Sequence, residues 1–209
     1  MEQGPIKFYD QQLPYKEFSN FYTPTKKEGL FMFDNKAYAT TEHYYQAKKF
    51  DYPGASKTSL EYAEKIRLAR TPNLAFCLAN QTCNSPYPWA IKIREEIKQY
   101  EGKVEIREDW EDVKLDVMRT AVRGKFTQNT RLQRILLDTE DRELVEHTTR
   151  DAFWADAGDG TGQNWLGKIL MEIRTELSEK RKKETKKRKT IKRLLEEEPR
   201  IKKAKVDNA

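Results

Sequence analysis

Residues 110–126 read Trp-Glu-Asp-Val-Lys-Leu-Asp-Val-Met-Arg-Thr-Ala-Val-Arg-Gly-Lys-Phe. Trp110, Val113, Val117, Ala121 and Phe126 fall roughly on one face at helical period, joined by Met118 and Val122. Asp109 stands in the capping position. Downstream, Arg131 to Leu137 predicts a short helix, and Glu143 to Thr148 fits either helix or strand. Residues 156–164 form a glycine-rich loop. It runs into a last domain helix with Leu166, Ile169, Leu170, Ile173 and Leu177 on one stripe. Upstream, the apolar-aromatic runs 6–9 and 30–33 read as strands. Asp34-Asn35-Lys36 is a turn before Ala37-Tyr38. Thr40 and Thr41 are candidate caps of a helix over 42–50, ended by Pro53-Gly54. Ser59 is expected to cap a helix running to Arg70, and Thr71-Pro72 to open another to Asn80. Cys83 to Pro88 is a loop, followed by a helix over 89–100. No internal repeat occurs. The predicted fold is α+β, predominantly helical, a single domain with a few short strands.

The net charge of +6 is unevenly spread. Residues 1–177 hold 26 basic and 28 acidic side chains, whereas residues 178–209 hold 14 and 6. The body is near neutral and of a length that one domain accommodates. The tail carries the basicity in two runs, Lys180 to Lys189 and Ile201 to Lys205. Such runs cannot bury apolar area, so the tail is expected to be disordered or a solvated helix. Its functional reading is a nuclear localisation signal or a nucleic-acid contact. No apolar run approaches the ~18 residues of a membrane span, and Met1 to Asp10 has no signal-peptide core, so no membrane partner is expected. Two cysteines, Cys77 and Cys83, and two histidines, His43 and His147, make neither a disulfide framework nor a zinc site. An intracellular location, nuclear or cytoplasmic, fits, as does metal-independent chemistry. Cys77 is expected to be buried, and lone histidines are more often structural than catalytic.

Three segments can carry chemistry. In Thr41-Glu-His-Tyr-Tyr-Gln-Ala-Lys-Lys-Phe50, positions 42, 46 and 49 share a helix face, since i and i+7 differ by only ~20°. Glu42 can then act as a base or stabilise a cation, and Lys49 as a nucleophile if desolvation lowers its pKa. By spacing alone, a solvated Glu–Lys pair two turns apart is the commoner reading. Residues Glu146 to Asn164 set Asp151 and Trp154 before Gly158, Gly160 and Gly162. The glycines allow close backbone approach, and a helix start near Asn164 suits a phosphate. The loop is neither a P-loop nor a dinucleotide fingerprint, so no cofactor is expected. An ordinary tight turn, with Trp154 in the core, describes it equally well. Third, Phe18-Ser19-Asn20-Phe21-Tyr22 can stack a base and bond its edge, or simply anchor the core. Trp110 can likewise wall a site or pack in the core.

In order and spacing, these segments resemble the NADAR (YbiA-like) domain family. The carriers are Phe18-Ser-Asn-Phe21, Thr41 to Phe50, Trp110 with Met118-Arg and Lys125-Phe126, and Leu144-Val-Glu-His147. Asp151-x-Phe-Trp154, Gly158-x-Gly160-x-Gly162-x-Asn164-x-Leu-Gly167 and Leu170-Met171-x-Ile-Arg174 complete the set. The resemblance spans about residues 6–177 and implies an N-glycosidase without cofactor or metal, cleaving a ribosyl C1–nitrogen bond. Substrates described for such proteins include ribosylamino-pyrimidine intermediates of riboflavin synthesis and ADP-ribose on guanine. The resemblance implies Glu42, Lys49 and Asp151 as catalytic residues. It implies Ser19, Asn20, Phe21, Trp110, Glu146, Trp154, Gly158, Gly160, Gly162 and Asn164 as substrate-binding ones. Together with the basic tail, the expected partner is ADP-ribosylated guanine in nucleic acid or nucleotide. Hydrolysis of a phosphoribosylamino-pyrimidine and a non-catalytic nucleic-acid-binding module are the competing expectations.

Overall fold

The computed structural model describes the backbone of residues 4–206 and the side chains of residues 4–193. The side chains of the second basic run, 201–205, lie outside the described residues. The chain divides into two compact units, residues 1–173 and 174–209.

The first unit is a helical domain with two small two-stranded sheets. Strand β1 (Ile6–Phe8) runs parallel to β4 (Leu144–Glu146), with Phe8 opposite Glu146. Within the segment 143–148 a strand forms over residues 144–146, all three of them buried. Strands β2 (Phe31–Phe33) and β3 (Lys36–Tyr38) form a hairpin. Its two-residue turn, Asp34-Asn35, has positive φ at both positions (49° and 62°). That is the type I′ geometry that matches strand twist, and Asp and Asn tolerate it better than other non-glycine residues.

Helix α1 (Thr41–Ala47) is capped by Thr40, whose hydroxyl accepts from the His43 amide. The Thr41 hydroxyl turns instead to the backbone and side-chain oxygens of Asn20. All seven residues of α1 are buried, against α2 (Lys57–Arg67), α3 (Pro72–Ala79) and α5 (Trp110–Gln128). The regular helix stops at Ala47, short of the expected residue 50, and Lys49 follows on a tight turn closed by Lys49 N–H to Gln46 O. Helix α2 starts earlier than expected. Ser56 caps it by accepting from the Ser59 amide, and Ser59 is a buried first-turn residue. Thr71 caps α3, with Pro72 at its first position. Helix α4 (Trp89–Lys98) matches the expected segment to within two residues.

Helix α5 begins after Asp109, but that side chain pairs with Arg107 and makes no cap bond. Its buried face is Trp110, Met118, Ala121, Val122, Lys125 and Phe126. Asn129 caps α6 (Thr130–Leu137) through bonds from the Arg131 and Leu132 amides. The core is unusually aromatic: Phe33 packs on Tyr44 at 4.3 Å, Phe50 on Tyr62 at 5.0 Å, and Phe18 on Phe8 and Phe126 at 5.5 and 6.0 Å. Each buried ring of this kind contributes roughly 1.5–3 kcal/mol. Helix α7 (Trp165–Val206) starts in the first unit, where Leu166, Ile169, Leu170 and Ile173 are buried. Arg174 and Leu177 are still buried, and from residue 179 to 193 the helix is solvated, every residue exposed. Cys77, expected to be buried, is only half-buried, while Cys83 of the following loop is buried.

Candidate active site

The site is built on α1 and the turn after it. Asn20 aims its first residue: the Glu42 amide donates to Asn20 O, and the Thr41 hydroxyl donates to Asn20 O and Oδ1. Asn20 itself is pinned by its Nδ2 on Met118 Sδ at 3.3 Å. Glu42 is 5% exposed and Lys49 is 6% exposed, so the solvated ion pair favoured by spacing alone is not what forms. The physical reason is tertiary: α1 is enclosed on all sides, and its polar residues go inside with it. Burial pushes the Glu42 carboxyl up to about 7. The Gln46 hydrogen bond and the Lys49 charge oppose that rise, and Asp151 adds to it. Gln46 Nε2 donates to Glu42 Oε1 at 2.7 Å, which leaves Gln46 Oε1 buried with no partner among the described residues. An orphan acceptor of this kind is costly unless a ligand donates to it.

Lys49 donates to Asn80 Oδ1 at 3.0 Å and lies 6.0 and 5.8 Å from the ring centres of Tyr45 and Trp110. Burial pulls its pKa down from 10.5 to about 8, with Glu42 and Glu111 opposing. A lysine so placed keeps a useful neutral fraction near pH 7. Tyr45 touches Trp110 at 5.0 Å and Trp154 at 5.5 Å, so the three rings form one wall. Trp154 is half-buried at the edge of that wall rather than in the core.

Two further carboxylates act electrostatically on this centre. Asp151 accepts from the amides of Phe153 and Trp154, both at 2.7 Å, and so sets the turn that presents Trp154. Glu146, at the end of β4, is pushed up to about 8 by burial and then by the charges of Asp151 and Glu42, with Lys125 opposing. The Asp151 charge thus acts on both Glu42 and Glu146, carboxyls supplied by α1 and by the end of β4. Lys125, buried on α5, donates to Ser19 O at 2.8 Å, and burial lowers its pKa to about 7.

The remaining expected site residues are structural in their visible bonds. The Ser19 hydroxyl accepts from the Phe21 amide. Phe21 is half-buried, with no ring contact or side-chain hydrogen bond among the described residues. Asn164, at φ 50°, splices the loop to β4: its Oδ1 accepts from Glu146 N and its Nδ2 donates to Leu144 O. The amides of Gly158, Gly160 and Gly162 are all bonded to Asp156, the first to its carboxylate and the others to its carbonyl. They offer no open amide cradle for phosphate. Gly162 is required by crowding, since a Cβ there would lie 2.4 Å from Ala155 O. Both histidines are structural. His43 donates from Nε2 to Ala69 O while its Nδ1 meets the Thr40 hydroxyl, and His147 Nδ1 pairs with Asp156.

Asn80 was not among the expected residues, and no local pattern marks it. Lys125 was readable: it occupies the i+7 place of the stripe Met118, Ala121, Val122, where an apolar residue belongs.

The fold and centre define a class: a small α+β domain with a buried carboxylate–amine pair against an aromatic wall. The chain belongs to the NADAR domain family, whose model matches residues 7–178. N-glycosidase YbiA of Escherichia coli is 37% identical over 179 residues, covering 85% of this chain and 91% of that protein. A riboflavin biosynthesis protein of Vibrio vulnificus is 38% identical over 179 residues, 86% of this chain but 40% of that protein. The NMR structure of E. coli YbiA matches with a TM-score of 0.63 at 35% identity, covering 87% of this chain and 89% of that one.

Proposed function

We propose that this chain removes ADP-ribose from guanine bases in nucleic acid or nucleotide, by hydrolysing the ribosyl C1–nitrogen bond. The class of bond rests on the family: the chain is a NADAR hydrolase of the N-glycosidase kind. One observation carries the mechanism: the Lys49 amine and the Glu42 carboxyl of one short segment are both buried, and burial favours the neutral amine.

The leaving nitrogen takes a proton from Glu42 as its bond to C1 breaks and the electron pair goes to the base. Positive charge grows on C1 and the ring oxygen, and the acidic residues stabilise it. Neutral Nζ of Lys49 bonds to C1. Ring opening then moves a proton from Nζ to the ring oxygen by way of Glu42, leaving a Schiff base. Water adds to C1, Nζ departs, and the ribose recloses as free ADP-ribose, with one water consumed. Gln46 Oε1 is available to accept from a ribose hydroxyl. The exposed cations of Lys180 to Lys189 favour a polyanionic substrate and a nuclear setting.

A second reading, hydrolysis of a phosphoribosylamino-pyrimidine, is favoured by the riboflavin biosynthesis name of the V. vulnificus relative. Incubation with an ADP-ribosylated guanine oligonucleotide and with the ribosylamino-pyrimidine, read by mass spectrometry, separates the two. Free ADP-ribose with restored guanine supports the proposal; turnover of the pyrimidine alone refutes it. Borohydride added during turnover should leave a reduced adduct on Lys49. No adduct would favour direct attack by a water that Glu42 activates.

A further inference from the structure

The aromatic wall does not end at the catalytic pair. From Tyr45 it continues through Trp154 to Phe153 at 5.0 Å and on to Trp165 at 6.3 Å. Exposure changes along this row. Trp110 and Tyr45 are buried, whereas Trp154, Phe153 and Trp165 are each half-exposed. Two ammonium groups sit on the outer rings. Lys114 Nζ lies 4.0 Å from the Phe153 ring centre and Lys168 Nζ 4.8 Å from that of Trp165. Lys114 is also paired with Glu111, while exposed Lys168 has no carboxylate partner among the described residues. The half-exposed rings run in an unbroken line from the buried Tyr45 and Trp110, so the row leads from the proposed centre to water. Flat π faces beside ammonium groups are the combination that binds nucleotides, the ring stacking the base and the cation meeting phosphate.

We infer that Phe153 and Trp165, with Lys114 and Lys168, form a stacking subsite for a nucleobase joined through phosphate to the ribose at Lys49. The inference rests on the ADP-ribosyl-guanine reading above. The shared chemistry is a phosphate-linked base, from one of two sources. One is the adenine at the far end of ADP-ribose; the other is a base flanking the modified guanine in the strand.

Calorimetric titration of the full chain tests this with three ligands: ADP-ribose, ribose 5-phosphate and an unmodified single-stranded tetranucleotide. Trp165→Ala is expected to weaken a base-bearing ligand about five-fold or more, and Phe153→Leu, which keeps apolar volume, to do so less. Ribose 5-phosphate should bind both variants as it binds the unaltered protein. Loss confined to ADP-ribose assigns the ledge to adenine; loss confined to the tetranucleotide assigns it to the strand. Equal loss for all three ligands, unchanged affinity for both base-bearing ligands, or no binding of either to the unaltered protein overturns the inference. None of these readouts needs turnover. The parent reading fails on different evidence, if the unaltered protein frees no ADP-ribose from ADP-ribosylated guanine.

Discussion

Lys49→Arg is the substitution that most sharply divides the two roles open to this side chain. It keeps a cation between the Tyr45 and Trp110 rings, with donors for Asn80, but a guanidinium does not deprotonate in a protein. With a pKa of about 8 in place of 10.5, Lys49 has roughly 300 times more neutral amine at pH 7 than an ordinary lysine, about a tenth of the population. The Schiff-base route uses that neutral fraction. Because Glu42 must also hold its proton to give it to the leaving nitrogen, single-turnover cleavage should rise about ten-fold per pH unit up to about 7, stay nearly flat to about 8 and fall about ten-fold per unit above. The falling limb above about 8 reports loss of the Glu42 proton, the rising limb below about 7 gain of the neutral Lys49 amine. Lys49→Arg should lose at least about 300-fold in rate at pH 7, because no neutral form remains. Rapid-quench assays from pH 6 to 10, with melting curves as the fold control, read both quantities. A rate still climbing at pH 10, or an arginine variant within ten-fold of the unaltered protein, would refute nucleophilic use of Lys49.

The other predictions concern the acidic residues, the loop and the tail. Glu146 has a folded pKa of about 8, above its ordinary 4.5, so the folded protein holds a proton that the unfolded chain releases between those values. Its contribution to stability is complete below about pH 4.5 and is lost as pH rises through 8. Glu146→Gln should thus melt like the unaltered protein at pH 5 and a few degrees higher at pH 8.5. An equal difference at both pH values counts against the assignment. Glu42→Ala should keep the fold by circular dichroism and lose turnover; retained turnover points to a binding module instead. Gly162→Ala should cost about 1–3 kcal/mol, since its Cβ meets backbone at 2.4 Å. Gly160→Ala, at φ +89° but in open space, should cost about 1 kcal/mol; denaturant melts rank the two. Removing 178–209 should leave turnover of a small substrate nearly intact while flattening the salt dependence seen with a nucleic-acid substrate. An unchanged salt slope would separate the tail from the substrate.

Much of this architecture was legible in short windows. Thr40, Thr71-Pro72 and the Asp34-Asn35 turn act through bonds a few residues long, and α5 announces itself by period. The α1 segment declared its chemistry through residue type, yet its surroundings stayed hidden. Whether Glu42 and Lys49 face water depends on α2, α3 and α5 closing over them, which no spacing within 41–50 encodes. The same limit explains Asn80, which meets Lys49 from the end of α3, and β4, whose partner lies at the other end of the domain. The glycine loop misled in a different way. Its composition suited an anion cradle, but Asp156, within the loop itself, consumes the amides.

The parallel pairing of β1 with β4 has a bearing on how the protein is made. Ile6 finds its partner only at Leu144, and the strand that ends in Glu146 is also the one that Asn164 clamps. At ribosomal speeds of about 5–20 residues per second, the emerging N-terminal strand stays unpaired for roughly 7–30 seconds. During that interval Glu42 and Lys49 can have their helix but not the charges of Asp151 and Glu146. A chain that ends before Leu144 leaves β1 with an open edge, the kind of edge that pairs with other chains.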